Sequence, residues 1–117
     1  MADCLVRPCP PLSLALALVL VPAFAGAAIG EPAPARQAEI LHLLKHDCGS
    51  CHGMTLKGGL GPALDPRAIG GQDDDLLVET ILNGRPGTPM APWRISLNED
   101  ETRWLVRRLK EGIDGAD

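Results

Sequence analysis

A chain of 117 residues is long enough for one small domain and too short for several. One Phe, two Trp and no Tyr give little aromatic mass for a core, so a bound apolar group would supply much of the missing volume. A net charge of −4 argues against nucleic acid or an anionic membrane surface as partner.

Residues 1–27 have the pattern of a cleavable secretory signal peptide. Arg7 supplies the positive start, Leu12–Val21 is an apolar run of ten residues, and Pro22 breaks it. Ala23-Phe24-Ala25 and Ala25-Gly26-Ala27 are both small-residue cleavage signals. The run is too short for a membrane span, which needs ~20 residues. Cys4 and Cys9 lie ahead of the run and leave with it, so the mature chain keeps only Cys48 and Cys51. Residues 28–35 form a Pro/Ala linker without periodicity, expected to be mobile.

The spacing predicts a first helix over 36–48, with Ile40, Leu41, Leu44 and Cys48 on one apolar stripe. His42 and His46 share another face, where a solvated pair is the simpler reading. The helix runs into Cys48-Gly49-Ser50-Cys51-His52, the C-x-x-C-H spacing of covalent haem attachment. Two thiols one helical turn apart can reach one porphyrin edge, and the next residue offers an imidazole to the iron. Gly49 and Ser50 are small enough for close approach of a macrocycle. A bare C-x-x-C can also be half of a zinc site or a redox pair. Zinc would need further ligands, of which only His42 and His46 are candidates, and a redox pair would need strands that the sequence does not offer.

Residues 53–71 hold six glycines and are expected to form a loop over one face of the bound group. Within it Leu60-Gly61-Pro62-Ala63-Leu64 stands out, because a ligand His usually donates its second N–H to a fixed acceptor such as the Pro62 carbonyl. Residues 73–83 are a predicted helix with an acidic first turn, Leu77 and Ile81 facing inward with Leu76 or Val78 beside them, and Gly84 as C-cap. Asp73, Asp74 and Asp75 together suit a partner with a basic rim. Residues 84–94 carry three prolines, two glycines, Met90 and Trp93, a stiff loop that aims one side chain. Met54 lies too close to His52 to reach an opposite face, which leaves Met90 as the practical second ligand. A last helix spans 97–111, capped by Asn98 with Glu101 or by Ser96 with Glu99. Leu105 and Leu109 face the core, and Arg103, Arg107, Arg108 and Lys110 line a solvated outer side.

Taken in order, these segments resemble the small monohaem class I cytochromes c over about residues 36–111. The stretches DCGSCHGMTLKGGLGPAL and TILNGRPGTPMAPW are similar to the c55X-type cytochromes associated with cytochrome cd1 nitrite reductase. The resemblance implies an all-α fold of three to four helices wrapped round one covalent haem c, in a domain over 36–117. It implies thioethers at Cys48 and Cys51, His52 and Met90 as iron ligands, the Pro62 carbonyl orienting His52, and Leu64 and Trp93 in the haem pocket. One departure concerns the last helix, where Arg108 precedes Leu109 and the aromatic is Trp104, so the crossing of the terminal helices is expected to be built differently.

The implied function is one-electron transfer in the periplasm by a monomer free of membrane after signal cleavage, serving a redox partner such as cytochrome cd1 nitrite reductase. An enzyme or gas sensor needs a vacant axial position, which a ligated Met90 denies. A sensor or peroxidase becomes the reading only if Met90 is displaceable. An accessory role in haem d1 maturation would use the same bound haem.

Overall fold

The computed structural model describes residues 30–113, and among them every regular element is helical. The expected signal peptide, residues 1–27, and the start of the expected linker lie outside the described residues. Pro34 opens α1 (Pro34–Leu43), since a first-turn position needs no N–H and suits the fixed φ of proline. The helix therefore begins inside the span 28–35 that the sequence assigns to the linker.

After α1 the backbone widens into a π-helical turn, Leu44–Cys48, before α2 (Gly49–His52). The Gly49 N–H donates to the Leu44 carbonyl, five residues back. That extra residue shifts the buried stripe. Ile40, Leu44 and Gly49 are buried, while Cys48 is half-buried against the core. Straight 3.6-residue periodicity places Cys48 in the stripe; the wide turn passes that place to Gly49.

The Gly-rich stretch folds as a loop and contributes α3 (Pro66–Ile69), capped by the Asp65 carboxylate accepting from the Ala68 N–H at 2.9 Å. Leu56 anchors the loop, being 6% exposed in spite of a left-handed φ of 58°. Burial of its side chain offsets a backbone strain on the order of 1–3 kcal/mol.

α4 (Asp74–Asn83) is capped by Asp73, which accepts from the Leu76 N–H at 3.0 Å. Its fully buried pair is Val78 and Leu82, whereas Leu77 and Ile81 are half-buried. This corrects the expected inward pair by one residue. Both faces of DDLLVETILN are apolar, so periodicity alone does not choose between them.

α5 (Glu99–Glu111) starts in a complete capping box. Asn98 accepts from the Glu101 N–H and Glu101 from the Asn98 N–H, both at 2.9 Å. It buries Trp104, Leu105, Val106 and Leu109 against α4 and α3. Its cations do more than face solvent, as the sequence pattern suggested. Arg103 pairs with Asp75 at 2.5 Å and Glu99 at 2.9 Å, and Lys110 pairs with Asp74. The terminal helices are tied by Arg36, whose guanidinium donates to Glu101 at 2.6 Å and to the Ser96 carbonyl at 2.6 Å. This polar clamp answers the departure noted around Trp104, which is itself in the core at 3% exposure.

Candidate functional site

His52 ends α2 and is half-buried, with Nδ1 at 2.7 Å from the Pro62 carbonyl oxygen. A carbonyl can only accept, so Nδ1 carries the hydrogen and Nε2 keeps its lone pair. The loop that brings Pro62 back is pinned to the attachment helix. The Gly58 N–H donates to the His52 carbonyl at 2.9 Å and the Gly61 N–H to the Cys51 carbonyl at 2.8 Å. Gly61 lies flat against the imidazole: a Cβ there would sit 2.8 Å from Cε1 and 2.9 Å from Nδ1. The ring is thus held by a hydrogen bond at one atom and by contact with a residue that must lack a side chain. Sequence reasoning found Pro62 and missed Gly61, whose signal was hidden among the other glycines of the loop.

Cys48 and Cys51 are both half-buried free thiols. Burial pushes the Cys48 thiol up to about 11, with the Asp47 charge adding to the effect. The zinc alternative has no ligand set. His42 and His46 stack on one another with ring centroids 4.3 Å apart, and no group of three or more His, Cys, Asp or Glu able to hold a metal exists among the described residues.

Met90 sits half-buried in the second loop. This loop is hooked to the end of α4, where the Trp93 and Arg94 N–H groups donate to the Ile81 and Leu82 carbonyls at 3.1 and 3.2 Å. These carbonyls belong to the last turn of the helix and have no partner within it. The Met90 backbone is held on both sides. Its carbonyl accepts from the Arg85 N–H at 3.0 Å, and its N–H donates to the Thr88 hydroxyl at 3.3 Å. Gly84, at φ +69°, lets the chain double back: a Cβ there would be 2.5 Å from the Met90 carbonyl oxygen. Met54, the excluded alternative, is 51% exposed, and its sulfur lies beside Gly49, 3.5 Å from where a Cβ would be.

Leu64, Leu77, Ile81 and Trp93 pack against the core on one side yet stay only half-buried. The donor set and its setting fit covalent haem c. Two thiols stand one turn apart, an imidazole offers its Nε2, and apolar side chains remain to be covered. Asp73 caps α4, and Asp74 and Asp75 pair with Lys110 and Arg103 while staying exposed.

Comparison with known proteins agrees with this geometry. A family described as cytochrome C oxidase, cbb3-type, subunit III matches residues 35–107. A cytochrome c55X of Pseudomonas aeruginosa is 54% identical over 101 residues, covering 86% of this chain and 85% of its own. The chain belongs to the c-type cytochromes. Within them it is a small monohaem cytochrome related to those of nitrite reduction, with haem c as its covalent cofactor and electron transfer as its role. The solved structure of a c-type cytochrome NirC superposes with a TM-score of 0.68 at 57% identity, over 69% of this chain and 95% of that one. A dihydro-heme d1 dehydrogenase of Pseudomonas aeruginosa is 34% identical over 84 residues, which is 72% of this cytochrome and 17% of that enzyme. No helix among the described residues is long and apolar enough to cross a membrane.

Proposed function

We propose that this cytochrome is a monomeric periplasmic carrier of single electrons, exported by residues 1–27 and folded as one domain that begins with α1 at Pro34. Cys48 and Cys51 hold the haem by thioethers, His52 and Met90 bind the iron, and Leu64 and Trp93 line the pocket. Haem c supplies an iron that passes between the ferrous and ferric states by one electron. The observation that carries the reading is the 2.7 Å contact of His52 Nδ1 with the Pro62 carbonyl. It fixes the tautomer, aims Nε2 away from the loop and makes the imidazole a stronger donor. The two hydrogen bonds that hold the Met90 backbone support its thioether as the second ligand. Were His52 and Met90 both to bind the iron, no position would be left for a substrate, which favours a carrier over an enzyme.

The partner proposed is a periplasmic nitrite reductase of the cytochrome cd1 type, supported by the likeness to cytochrome c55X. The likeness to a dihydro-heme d1 dehydrogenase favours a second reading, service to haem d1 maturation. Stopped-flow mixing of the reduced cytochrome with oxidised reductase tests the first. Fast, salt-sensitive transfer is expected. A slow, salt-independent reaction, with normal nitrite reduction and normal haem d1 content in a deletion strain, contradicts both.

A further inference from the structure

We infer that Arg36 is a positioning residue for axial ligation: it joins the helix that leads to His52 to the segment that carries Met90, and so keeps the thioether in place against competing ligands. The inference rests on the His52 and Met90 reading above and adds to it a residue distant in sequence from both.

α1 runs through the π-turn into Cys48, Cys51 and His52, so the placing of α1 carries over to the imidazole. The Met90 segment is fastened first to α4. The Arg85 N–H holds the Met90 carbonyl, and the Trp93 and Arg94 N–H groups hold the last turn of that helix. Beyond Trp93 the chain makes a tight turn, in which the Ser96 and Leu97 N–H groups both donate to the Trp93 carbonyl at 2.9 Å. Leu97 is buried, and the next residue is the Asn98 cap of α5.

Arg36 meets this turn from α1. Its Nη2 donates to the Ser96 carbonyl at 2.6 Å, and the same guanidinium reaches the two Glu101 carboxylate oxygens at 2.6 and 3.3 Å. Glu101 also accepts from the Asn98 N–H at 2.9 Å. One side chain therefore ties α1, the end of the Met90 segment and the first turn of α5. Nη1 donates to Glu39 at 2.8 Å, which fixes the guanidinium from its own helix. The Glu101 side chain is 13% exposed, so water competes little for the pair. A planar guanidinium can serve a carboxylate and a carbonyl at once, where an ammonium is a single point of charge. Hydrogen bonds from a charged donor are about twice as strong as neutral ones. The restraint passes from Ser96 through the turn to Trp93, three residues from Met90. Were the burial of Leu97 enough to hold the turn, losing Arg36 would lower stability without changing how readily Met90 leaves the iron.

Loop segments open locally at less cost than global unfolding, and a small ligand enters while they are open. Mixing the ferric holoprotein with cyanide reads that opening. The Met90 thioether leaves the iron and stays on the chain, cyanide takes the position, and the oxidation state is unchanged. Arg36→Leu should raise the rate of cyanide binding roughly 10-fold, the weight of one charge-assisted hydrogen bond lost from the closed segment. Arg36→Lys keeps the charge, loses the fork and should raise the rate by a smaller factor. Glu39→Gln leaves Ser96 and Glu101 untouched and should match wild type. Denaturant midpoints taken in parallel separate the segment from the whole fold. Wild-type cyanide rates in both Arg36 variants, whatever their stability, overturn the inference and leave Met90 as ligand. A Glu39→Gln rate equal to that of Arg36→Leu also overturns it. A wild-type protein without the sulfur-to-iron band overturns the Met90 reading and the positioning role together.

Discussion

The two halves of the molecule are stabilised in different ways. α4 and α5 hold each other. They contribute Val78, Leu82, Trp104, Leu105, Val106 and Leu109 to the buried core, begin in side-chain caps, and are bridged by Arg103–Asp75 and Lys110–Asp74. The half that bears Cys48, Cys51, His52 and Met90 is mostly loop. The buried side chains outside α4 and α5 are Ile40, Leu44, Leu56, Ile69 and Leu97, and the glycines of the loops position backbone without filling space. The difference shows what the cofactor contributes. Leu64 and Trp93 in the loops, and Leu77 and Ile81 on α4, are only partly buried, and a bound haem would cover them.

The largest expected effect comes from removing the cofactor. Cys48→Ser/Cys51→Ser should release haem into organic solvent after acid denaturation and leave the mature chain without a cooperative thermal transition. A native-like transition in the haem-free variant would show that the loop half is self-supporting. Next is the helical half. Trp104→Ala should cost about 3–5 kcal/mol in denaturant unfolding of the holoprotein, a large share of the ~5–15 kcal/mol of a typical domain. A loss below ~1 kcal/mol would mean that haem, and not the α4–α5 core, carries most of the stability.

Gly61→Ala sharpens the comparison from the loop side. Its Cβ would meet the His52 ring at 2.8 Å, so the imidazole or the loop must shift. We expect a loss of ~1–3 kcal/mol together with a changed axial-ligand spectrum, which a merely structural position would leave alone.

The smallest effect is the pH dependence of the clamp between α1 and α5. The Arg36 guanidinium, and then the Asn98 N–H, hold the Glu101 carboxyl below its usual value. A depressed folded value contributes stability above the unfolded pKa of ~4.3, and that contribution is lost as pH falls through the folded value. Glu101→Gln keeps an acceptor for the capping box and removes the charge. It should cost under ~1 kcal/mol at neutral pH, with the gap to wild type closing as pH drops below ~4. A gap unchanged by pH would assign the effect to the cap alone.

Much of the site was legible because its chemistry is local. C-x-x-C-H spacing, a Pro carbonyl ten residues after His52 and the Asn98–Glu101 box are short-range patterns, and the structure has the last two in the expected geometry. What periodicity did not reveal depends on distant packing. The π-turn at Leu44–Cys48 moves the buried stripe by one residue without any composition signal. Val78 and Leu82 are the fully buried pair of α4 and Leu77 and Ile81 the half-buried one, a difference in depth that periodicity does not resolve when adjacent positions are all apolar. Asp74 and Asp75 looked like a free acidic patch because their partners, Lys110 and Arg103, lie 36 and 28 residues away.

The central claim is that His52 and Met90 close both faces of the haem. The most direct measurement is the optical spectrum of the ferric holoprotein beside Met90→Ala, with midpoint potentials taken on the same samples. The account predicts a weak long-wavelength sulfur-to-iron band in the wild type that disappears in the variant, with a lower potential once the thioether is gone. A band that survives the substitution, or that the wild type never shows, would contradict it.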